Sequence, residues 1–383
     1  MEIQVPALAS ILADLPDCRH ARGRRHPLPA LLLLAVAAVL CGYSSQSAIA
    51  DWAADCAPAL RTRLELTHPT GPSQATLSRV FAHLDVAAFE AVLADWAAAL
   101  LAALQAAAPP PAREAALAAL ALDGKTVRGS AHGDVPGQHL LSALAHHWGL
   151  VLAQQAVDGK TNEITAAPQL LAGLVLEGRL VTADALLTQR EIAAQIVTAG
   201  GDYLLAVKEN QPTLLGDIRT VFEEWPVLAD TMQQAYEERL VGGRREQRAL
   251  AASSALIGYS DWPHLAQVLE IRRVVTNKRT GRVRSEVAYA VTSLNAERAS
   301  AAQLLRAWRA HWEIENRLHW VRDVTFGEDA SRVHTGHGPE VMAALRNTAI
   351  GLLRTQGATN IARGLRRFAN KPERLLHALG LAG

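Results

Sequence analysis

The chain has 383 residues, 50% of them hydrophobic and 20% charged, so it can bury a large core. This composition excludes disordered and fibrous proteins, and at roughly 150 residues per domain the length indicates more than one domain. The three cysteines form no C-x-x-C motif, which excludes a disulfide framework and a thiolate zinc site and fits a reducing compartment. The formal net charge is +1, but residues 306–383 carry a net charge of +5, which favours an anionic partner for that end.

Residues 1–107 are rich in alanine and leucine at helical spacing, which predicts an all-α N-terminal domain. An uncharged stretch, residues 27–50, follows three arginines and resembles an export signal. Its apolar centre, residues 30–41, is shorter than the ~18 residues that a membrane-spanning helix needs. We therefore expect a buried helix, no membrane association and a cytoplasmic protein. The run Pro109-Pro110-Pro111 predicts a stiff linker, so the second domain covers residues 108–383.

In the second domain a strand, helix, strand order predicts an α/β sheet. Two short apolar runs end on acids, Asp123 and Asp184, and a third strand at residues 202–207 is followed by Lys208 and Asn210. A β-rich stretch at residues 234–294 contains a hairpin turn at residues 277–281, and a capping-box pattern at Ser300 predicts the start of a helix.

Three carboxylates from three elements match the requirements of a two-metal site. Asp123, Asp184 and Glu315 could supply oxygen ligands to Mg²⁺ ions that activate an attacking oxygen in phosphoryl transfer. An alternative for either aspartate is that it caps the next turn. At ~100° per residue, Trp308, His311, Glu315, His319 and Arg322 fall on one helix face, although a solvated face with a Glu–His pair gives the same pattern.

The chain resembles the DDE transposases of bacterial insertion sequences, specifically the H-repeat-associated, ISAs-type group. The resemblance runs almost from end to end and depends on a series of motifs in a fixed order. These are Arg24-Arg25-His26, residues 47–53, Pro72-Ser73 with Thr76, Arg79 and Asp85, residues 122–130, 160–164, 182–185, 207–211 and 289–294, and residues 311–320 continuing to Glu328-Asp329.

This resemblance implies an α/β fold: an RNase H-like catalytic domain with a β-rich insertion at about residues 209–298, preceded by the all-α domain. It assigns Asp123, Asp184 and Glu315 as the catalytic and metal-binding triad, with two Mg²⁺ ions for which Mn²⁺ can substitute. Related transposases place the glutamate in a Tyr, Arg, Glu, Lys signature. The corresponding positions here are Trp308, His311, Glu315 and Arg322.

Several basic or polar residues are candidates for DNA contacts. At the lysine position of the signature, Arg322 retains a positive charge that can bind phosphate. At the arginine position, His311 is cationic only when it is protonated. Lys208 and Asn210 follow a buried strand beside Asp184 and could hold a phosphate, or they could form a plain strand-end turn. Arg244 and Arg248 lie in a block, residues 242–248, that resembles a family motif usually beginning with histidine.

Three further features leave alternatives open. Six basic and no acidic residues lie between Arg272 and Arg284, which predicts either a DNA-tracking hairpin or a solvated one. Arg79 and His83 share one face of a helix that could read the element ends or only pack. Glu328 and Asp329 are rivals for the third acid, and we rank Glu315 above them because they follow the predicted helix.

The predicted function is a DNA transposase that nicks the ends of an insertion sequence and joins the freed 3′-hydroxyl to target DNA. Its expected partners are double-stranded DNA, at the terminal repeats and at the target, and a second copy of the chain, since two ends must be cut together. A bacterial cytoplasmic protein on the nucleoid fits this function. The alternatives are a nuclease of the same fold that does not join strands and an inactive, domesticated DNA-binding relative.

Overall fold

A computed structural model describes residues 7–17, 19–66, 68–108, 117–158, 162–223 and 232–381. The predicted proline linker, Pro109-Pro110-Pro111, lies outside these residues. The α-helices are α1 (Leu8–Leu12), α2 (Leu28–Leu40), α3 (Gln46–Asp55), α4 (Pro58–Arg63), α5 (Gln74–Ala82), α6 (Val86–Ala107), α7 (Glu163–Ala172), α8 (Arg190–Thr198), α9 (Pro212–Glu223), α10 (Ala301–His311), α11 (Gly338–Thr355), α12 (Ile361–Ala369) and α13 (Pro372–Ala378). The strands are β1 (Ala119–Val127), β2 (Gln138–Ala145), β3 (Leu150–Val157), β4 (Leu180–Ala183), β5 (Asp202–Val207), β6 (Met232–Val241), β7 (Arg244–Ser253), β8 (Gln267–Asn277) and β9 (Val283–Thr292).

The chain divides into two compact units. Unit 1 comprises residues 1–109, 124–162 and 313–383, and unit 2 comprises residues 110–123 and 163–312. The described part of residues 1–107 is helical, as predicted, but unit 1 also includes parts of the predicted second domain. The domain boundary near residue 108 stays a prediction.

Helix α2 forms the centre of unit 1. Pro29 lies in its first turn, where its missing N–H has no helical partner to lose, and the helix is hydrophobic on every side. Its residues are therefore buried almost without exception, against α1, α3 and α11. Polar side chains cap the neighbouring helices: Ser45 accepts from the Ala48 N–H (3.1 Å), and Asp85 accepts from the Ala88 N–H (3.0 Å).

Two helical segments among the described residues, Ala21–Leu40 and Val86–Ala107, are long and apolar enough to cross a membrane by length and composition alone. The first includes α2, and the greater part of it is buried inside the protein. A core helix passes the same test as a membrane span, so this burial agrees with the buried helix that we expected.

Unit 2 contains a mixed sheet whose strands follow the order β1-β4-β5-β9-β8-β7-β6. The first part of β1 pairs in parallel with β4, and β4 pairs in parallel with β5, whereas β5 to β9 and all later pairs are antiparallel. Helix α10 packs Leu304, Leu305 and Trp308 into the same apolar cluster as residues of β7, β8 and β9. Its capping box is present as predicted, with Ser300 and Gln303 bonded to each other's backbone.

The structure corrects two details of the sequence analysis. Strand β1 does not end at Asp123 but continues to Val127, so the acid lies within the strand. The region predicted as a β-rich insertion begins with helix α9, and its four strands extend the main sheet, because Leu204 to Val207 of β5 pair with Thr292 to Tyr289 of β9. The chain thus has a mixed α/β fold with one large sheet in unit 2.

Candidate active site

The register of two parallel strands aligns the two candidate aspartates. Leu122 of β1 pairs with Ala183 of β4, so Asp123 and Asp184 are the next residues on neighbouring strands. Successive positions on adjacent parallel strands lie side by side. Unit 2 therefore places two acidic residues side by side along neighbouring strands, from segments that are about 60 residues apart in the chain.

Asp184 is held by the turn that follows it. Its Oδ1 accepts the backbone N–H groups of Leu186 (3.0 Å) and Leu187 (3.4 Å). Among the described residues no hydrogen bond reaches Oδ2. Desolvation and the nearby carboxylate of Glu163 raise the pKa of Asp184, while the two N–H groups and Lys208 act in the opposite direction. A bound cation would lower the pKa of Asp184 again, because a positive charge favours the charged form of the carboxyl group.

The two polar residues predicted after β5 have different surroundings. Lys208 is exposed and acts on Asp184 through its charge. The Asn210 amide donates to the carbonyl of Ala185 at 2.6 Å, and Gln211 donates to the carbonyl of Thr188 at 3.0 Å. Asn210 therefore fixes the segment that directly follows Asp184.

His311, at the end of α10, contacts the strand that carries Asp184. Its Nδ1 lies 3.0 Å from Oγ1 of Thr182, two residues before the aspartate, and the same hydroxyl donates to the carbonyl of Leu120 on β1 at 3.2 Å. Thr182 thus links the last turn of α10 to the two strands that carry the aspartates. Nothing in the spacing of the sequence indicated this contact.

In unit 1, the chain after α10 stays helical but changes its geometry. Glu315–His319 and Val321–Thr325 are π-helical, a wider turn that is rare and occurs frequently at functional sites. Glu315 Oε2 lies 3.6 Å from His319 Nδ1, with 58% of the Glu315 side chain exposed and 6% of the His319 side chain. Desolvation lowers the pKa of His319, assisted by the charges of Arg322 and Lys125 and opposed by Glu315, so the neutral imidazole is favoured.

The expectation that these side chains share one helix face assumed a uniform rotation of ~100° per residue. The π-helical turns do not have that rotation, so the expectation is wrong. Arg322 points into the protein and is 0% exposed, as is Glu328, whose Oε2 lies 2.8 Å from Arg322 Nη2. Arg346, 1% exposed, binds the other carboxylate oxygen at 2.9 Å. Burial alone would raise the pKa of Glu328, but the two guanidinium groups outweigh it and hold this pKa below its usual range.

The rivals for the third acid are therefore already occupied by basic partners. Glu328 is enclosed by two arginines, and Asp329 lies 3.8 Å from the ammonium group of buried Lys125, which also binds Asp323 at 2.7 Å. The exposed Glu315 is better suited to bind a cation. Spacing in the sequence indicated the Glu315–His319 pair, whereas the partners of Lys125 follow only from the fold.

The predicted basic residues on β7 differ in their availability. Arg244 is exposed beside the hairpin turn at residues 277–281. Arg248 is 13% exposed and binds Glu246 at 2.8 Å and Glu237 at 3.5 Å. In this arrangement Arg248 is already neutralised, while Lys278, Arg279, Arg282 and Arg284 of the hairpin are exposed like Arg244.

Known families and proteins are similar to the chain over most of its length. The family described as Transposase DDE domain matches residues 115–352, and the family described as DDE_Tnp_1-associated matches residues 9–97. The chain is 32% identical to "Putative transposase YncI" of Escherichia coli O157:H7 (96% of this chain, 92% of that one) and 28% identical to "H repeat-associated putative transposase YhhI" of Escherichia coli K12 (96% and 95%). A chain of the piggyBac transposase synaptic complex with hairpin DNA, solved by cryo-EM, has 10% identity and a TM-score of 0.37, covering 96% of this chain and 76% of that one.

Proposed function

Since the chain belongs to the DDE transposase family, in the group with the H-repeat-associated proteins, we propose that it cuts DNA at the ends of an insertion sequence. The freed 3′-hydroxyl then attacks a phosphodiester of the target DNA, so that one P–O bond forms while another breaks. The observation that carries this proposal is the alignment of Asp123 with Asp184 on neighbouring parallel strands. We also propose that the mixed sheet belongs to an RNase H-like catalytic domain.

The donor set fits hard divalent cations, because it consists mainly of carboxylate oxygens. We propose that Asp123, Asp184 and Glu315 hold two Mg²⁺ ions, or Mn²⁺ in their place, and that His319, whose Nδ1 lies 3.6 Å from Glu315, adds a nitrogen donor. When bound, the ions would supply activation of the attacking oxygen and stabilisation of the leaving oxygen.

The chain's own residues orient this donor set. The N–H groups of Leu186 and Leu187 fix one oxygen of Asp184, and Asn210 fixes the segment behind it. His311, held by Thr182, and the exposed Lys208 are proposed to contact DNA phosphates near the acids. Arg244 is proposed to contact DNA further along the sheet. Arg248 and Arg322 are predicted contacts that would first have to leave their carboxylate partners, and we propose a positioning role for them.

The proposed partners are double-stranded DNA and, in the synaptic complex, a second copy of the chain, because both ends of an element must be cut together. The proposed location is the bacterial cytoplasm, on the nucleoid. Both proposals depend on membership of the family rather than on a surface of this chain.

The deciding experiment is cleavage and joining of a labelled duplex that carries the element's own end, with and without Mg²⁺. We expect the wild type to cut and join, and Asp184→Asn and Glu315→Gln to bind the duplex without cutting it. Asp261→Asn, an exposed acid in unit 2, is the matched control and should cut normally.

Three outcomes would contradict the proposal in different ways. Cleavage without joining identifies a nuclease of the same fold. Binding without cleavage by every protein, at all Mg²⁺ and Mn²⁺ concentrations, identifies an inactive DNA-binding relative. Full activity of Glu315→Gln removes Glu315 from the triad.

A further inference from the structure

A cavity of about 750 Å³ lies in unit 1, between the segment of residues 16–28 and the residues around helix α5. We call it the arginine cavity, since Arg19, Arg22, Arg25 and Arg79 all line it. Three histidines, His20, His26 and His83, line it as well. The cavity consists of residues of the N-terminal segment, whereas the candidate active-site residues come from residues 123, 184 and 315.

The two acids that line this cavity already have partners, one of them a cavity arginine and the other a helix N-terminus. Asp17 binds Arg19 at 2.7 Å, and Asp85 caps helix α6 through the N–H of Ala88 at 3.0 Å. Arg22 and Arg25 are exposed and form no ion pair with any residue that the structure describes. The arginine cavity therefore keeps an excess of positive charge that its own acids do not balance.

A buried imidazole in the same cavity has an unsatisfied polar atom. His26 is 3% exposed, and its Nδ1 has no hydrogen-bond partner among the described residues. Nη1 of Arg19 is likewise buried, and it has no hydrogen-bond partner among the residues that the structure describes. Native proteins rarely leave buried polar atoms unpaired, so the two atoms indicate a polar ligand that completes the site.

The surroundings of His26 also indicate the sign of that ligand's charge. Burial lowers the pKa of His26, and His68, Arg25, Arg19 and Arg61 lower it further through their charges. Positive charge from several directions would be relieved by an anion. Guanidinium groups bind phosphate oxygens through paired hydrogen bonds, and a volume of this size suits a nucleotide rather than a bare ion.

We propose that the arginine cavity binds the phosphate of a nucleotide at the end of a DNA strand. The inference rests on the proposed function, because it names a part of the same DNA substrate that the cavity would hold. A free nucleotide offers the same phosphate chemistry, so the experiment must separate the two sources.

The test measures binding of four probes to the full-length protein at low salt: a 5′-phosphorylated pentanucleotide, its unphosphorylated twin, dAMP and inorganic phosphate. We expect the phosphorylated pentanucleotide to bind about tenfold more tightly than its twin, since a charge-assisted hydrogen bond is about twice as strong as a neutral one. The double variant Arg22→Gln/Arg25→Gln should lose this difference. Arg366→Gln, an exposed arginine on α12, should keep it.

The substituted arginines form no ion pairs with described residues, so the double variant should unfold at the temperature of the wild type; Arg79→Gln is a second, independent variant of the same cavity. Arginine-dependent binding of dAMP alone would support the phosphate site and reject the strand end as its ligand. Equal binding of both pentanucleotides, or binding unchanged in both variants, would overturn the inference.

A further variant separates this inference from the proposed function. Asp184→Ala should bind the phosphorylated pentanucleotide as the wild type does while it fails to cut the element end. If the wild type cuts nothing but still binds through the arginines, the transposase activity fails and the phosphate site stands.

Discussion

Arg322 and Glu328 form an ion pair in which neither side chain is exposed, with Nη2 of the arginine 2.8 Å from Oε2 of the glutamate. Arg346 completes the cluster from α11 and also donates to the carbonyl of Ser44 at 3.1 Å. The sequence predicted a phosphate contact for Arg322. In this structure its charge instead connects the segment after α10 to α11 within unit 1.

This burial predicts that Arg322→Gln destabilises the protein strongly. Removing one partner leaves Glu328 buried with a single arginine, and breaking a buried pair costs about 3–5 kcal/mol. Chemical denaturation of the protein, monitored by hydrogen exchange at amides of unit 1, measures the loss of unfolding free energy. Arg332→Gln, an exposed arginine nearby, should change the free energy of unfolding by less than about 0.5 kcal/mol. Normal stability together with weak DNA binding would show that Arg322 contacts DNA directly.

Asn210→Ala should reduce cleavage more than it reduces DNA binding. The amide holds the carbonyl of Ala185, and without it the segment after Asp184 can move. A loss of about tenfold in the single-turnover cleavage rate is expected, because small misplacements of reacting groups slow a reaction strongly. Glu209→Ala, at the exposed residue next to Asn210, is the control and should cleave at the wild-type rate. Equal losses in binding and cleavage would favour the DNA contact that the sequence predicted for Asn210.

The basic hairpin predicts a salt-dependent contribution to DNA binding. Arg279 and Arg282 lie on the exposed turn between β8 and β9. If both bind phosphates, Arg279→Gln/Arg282→Gln should reduce the slope of log K against log salt by about 2, at roughly 0.9 per phosphate contact. Filter binding over a range of salt concentrations measures this slope. An unchanged slope would identify the hairpin as merely solvated.

A pair of acids in unit 1 predicts that stability falls as pH rises. Burial and the neighbouring Glu340 raise the pKa of Glu90 to about 9, while Gln154 donates to Glu90 Oε1 at 2.8 Å. The folded state therefore keeps a proton that the unfolded state releases above the ordinary glutamate pKa of 4.5. The resulting stabilisation is fully present below pH 4.5 and is lost as the pH rises towards about 9.

Glu90→Gln should remove this loss, because an amide keeps the hydrogen bonds without a titrating proton. At pH 8.5 we expect a melting temperature at least about 3 °C above that of the wild type, with little difference at pH 5. Other groups that face the pair are Gln138, which donates to Glu340 at 3.3 Å, and His337, 3.5 Å from Glu340. Asp95→Asn, exposed on the same helix, should leave the pH profile unchanged. Parallel pH profiles for Glu90→Gln and the wild type would contradict the prediction.

The sequence by itself determined the local elements and the candidate residues. Residues close together in the sequence determine four elements that the structure confirms: strands β4 and β5, the hairpin after Asn277 and the capping box at Ser300. The motif order also identified the family, which the family matches confirm. The catalytic triad stays a prediction, although the strand register supports the pairing of Asp123 with Asp184.

Only the tertiary structure decided which charged groups are available. Arg248 and Arg322 have the same side chain as Arg244, but carboxylates of Glu237, Glu246 and Glu328 lie within 3.5 Å of the first two and neutralise them. The contact of Thr182 with His311 joins residues 129 positions apart, and the π-helical turns move Arg322 away from the expected face. Such features arise when long-range partners compete for a group, and residue spacing along one chain does not contain that information.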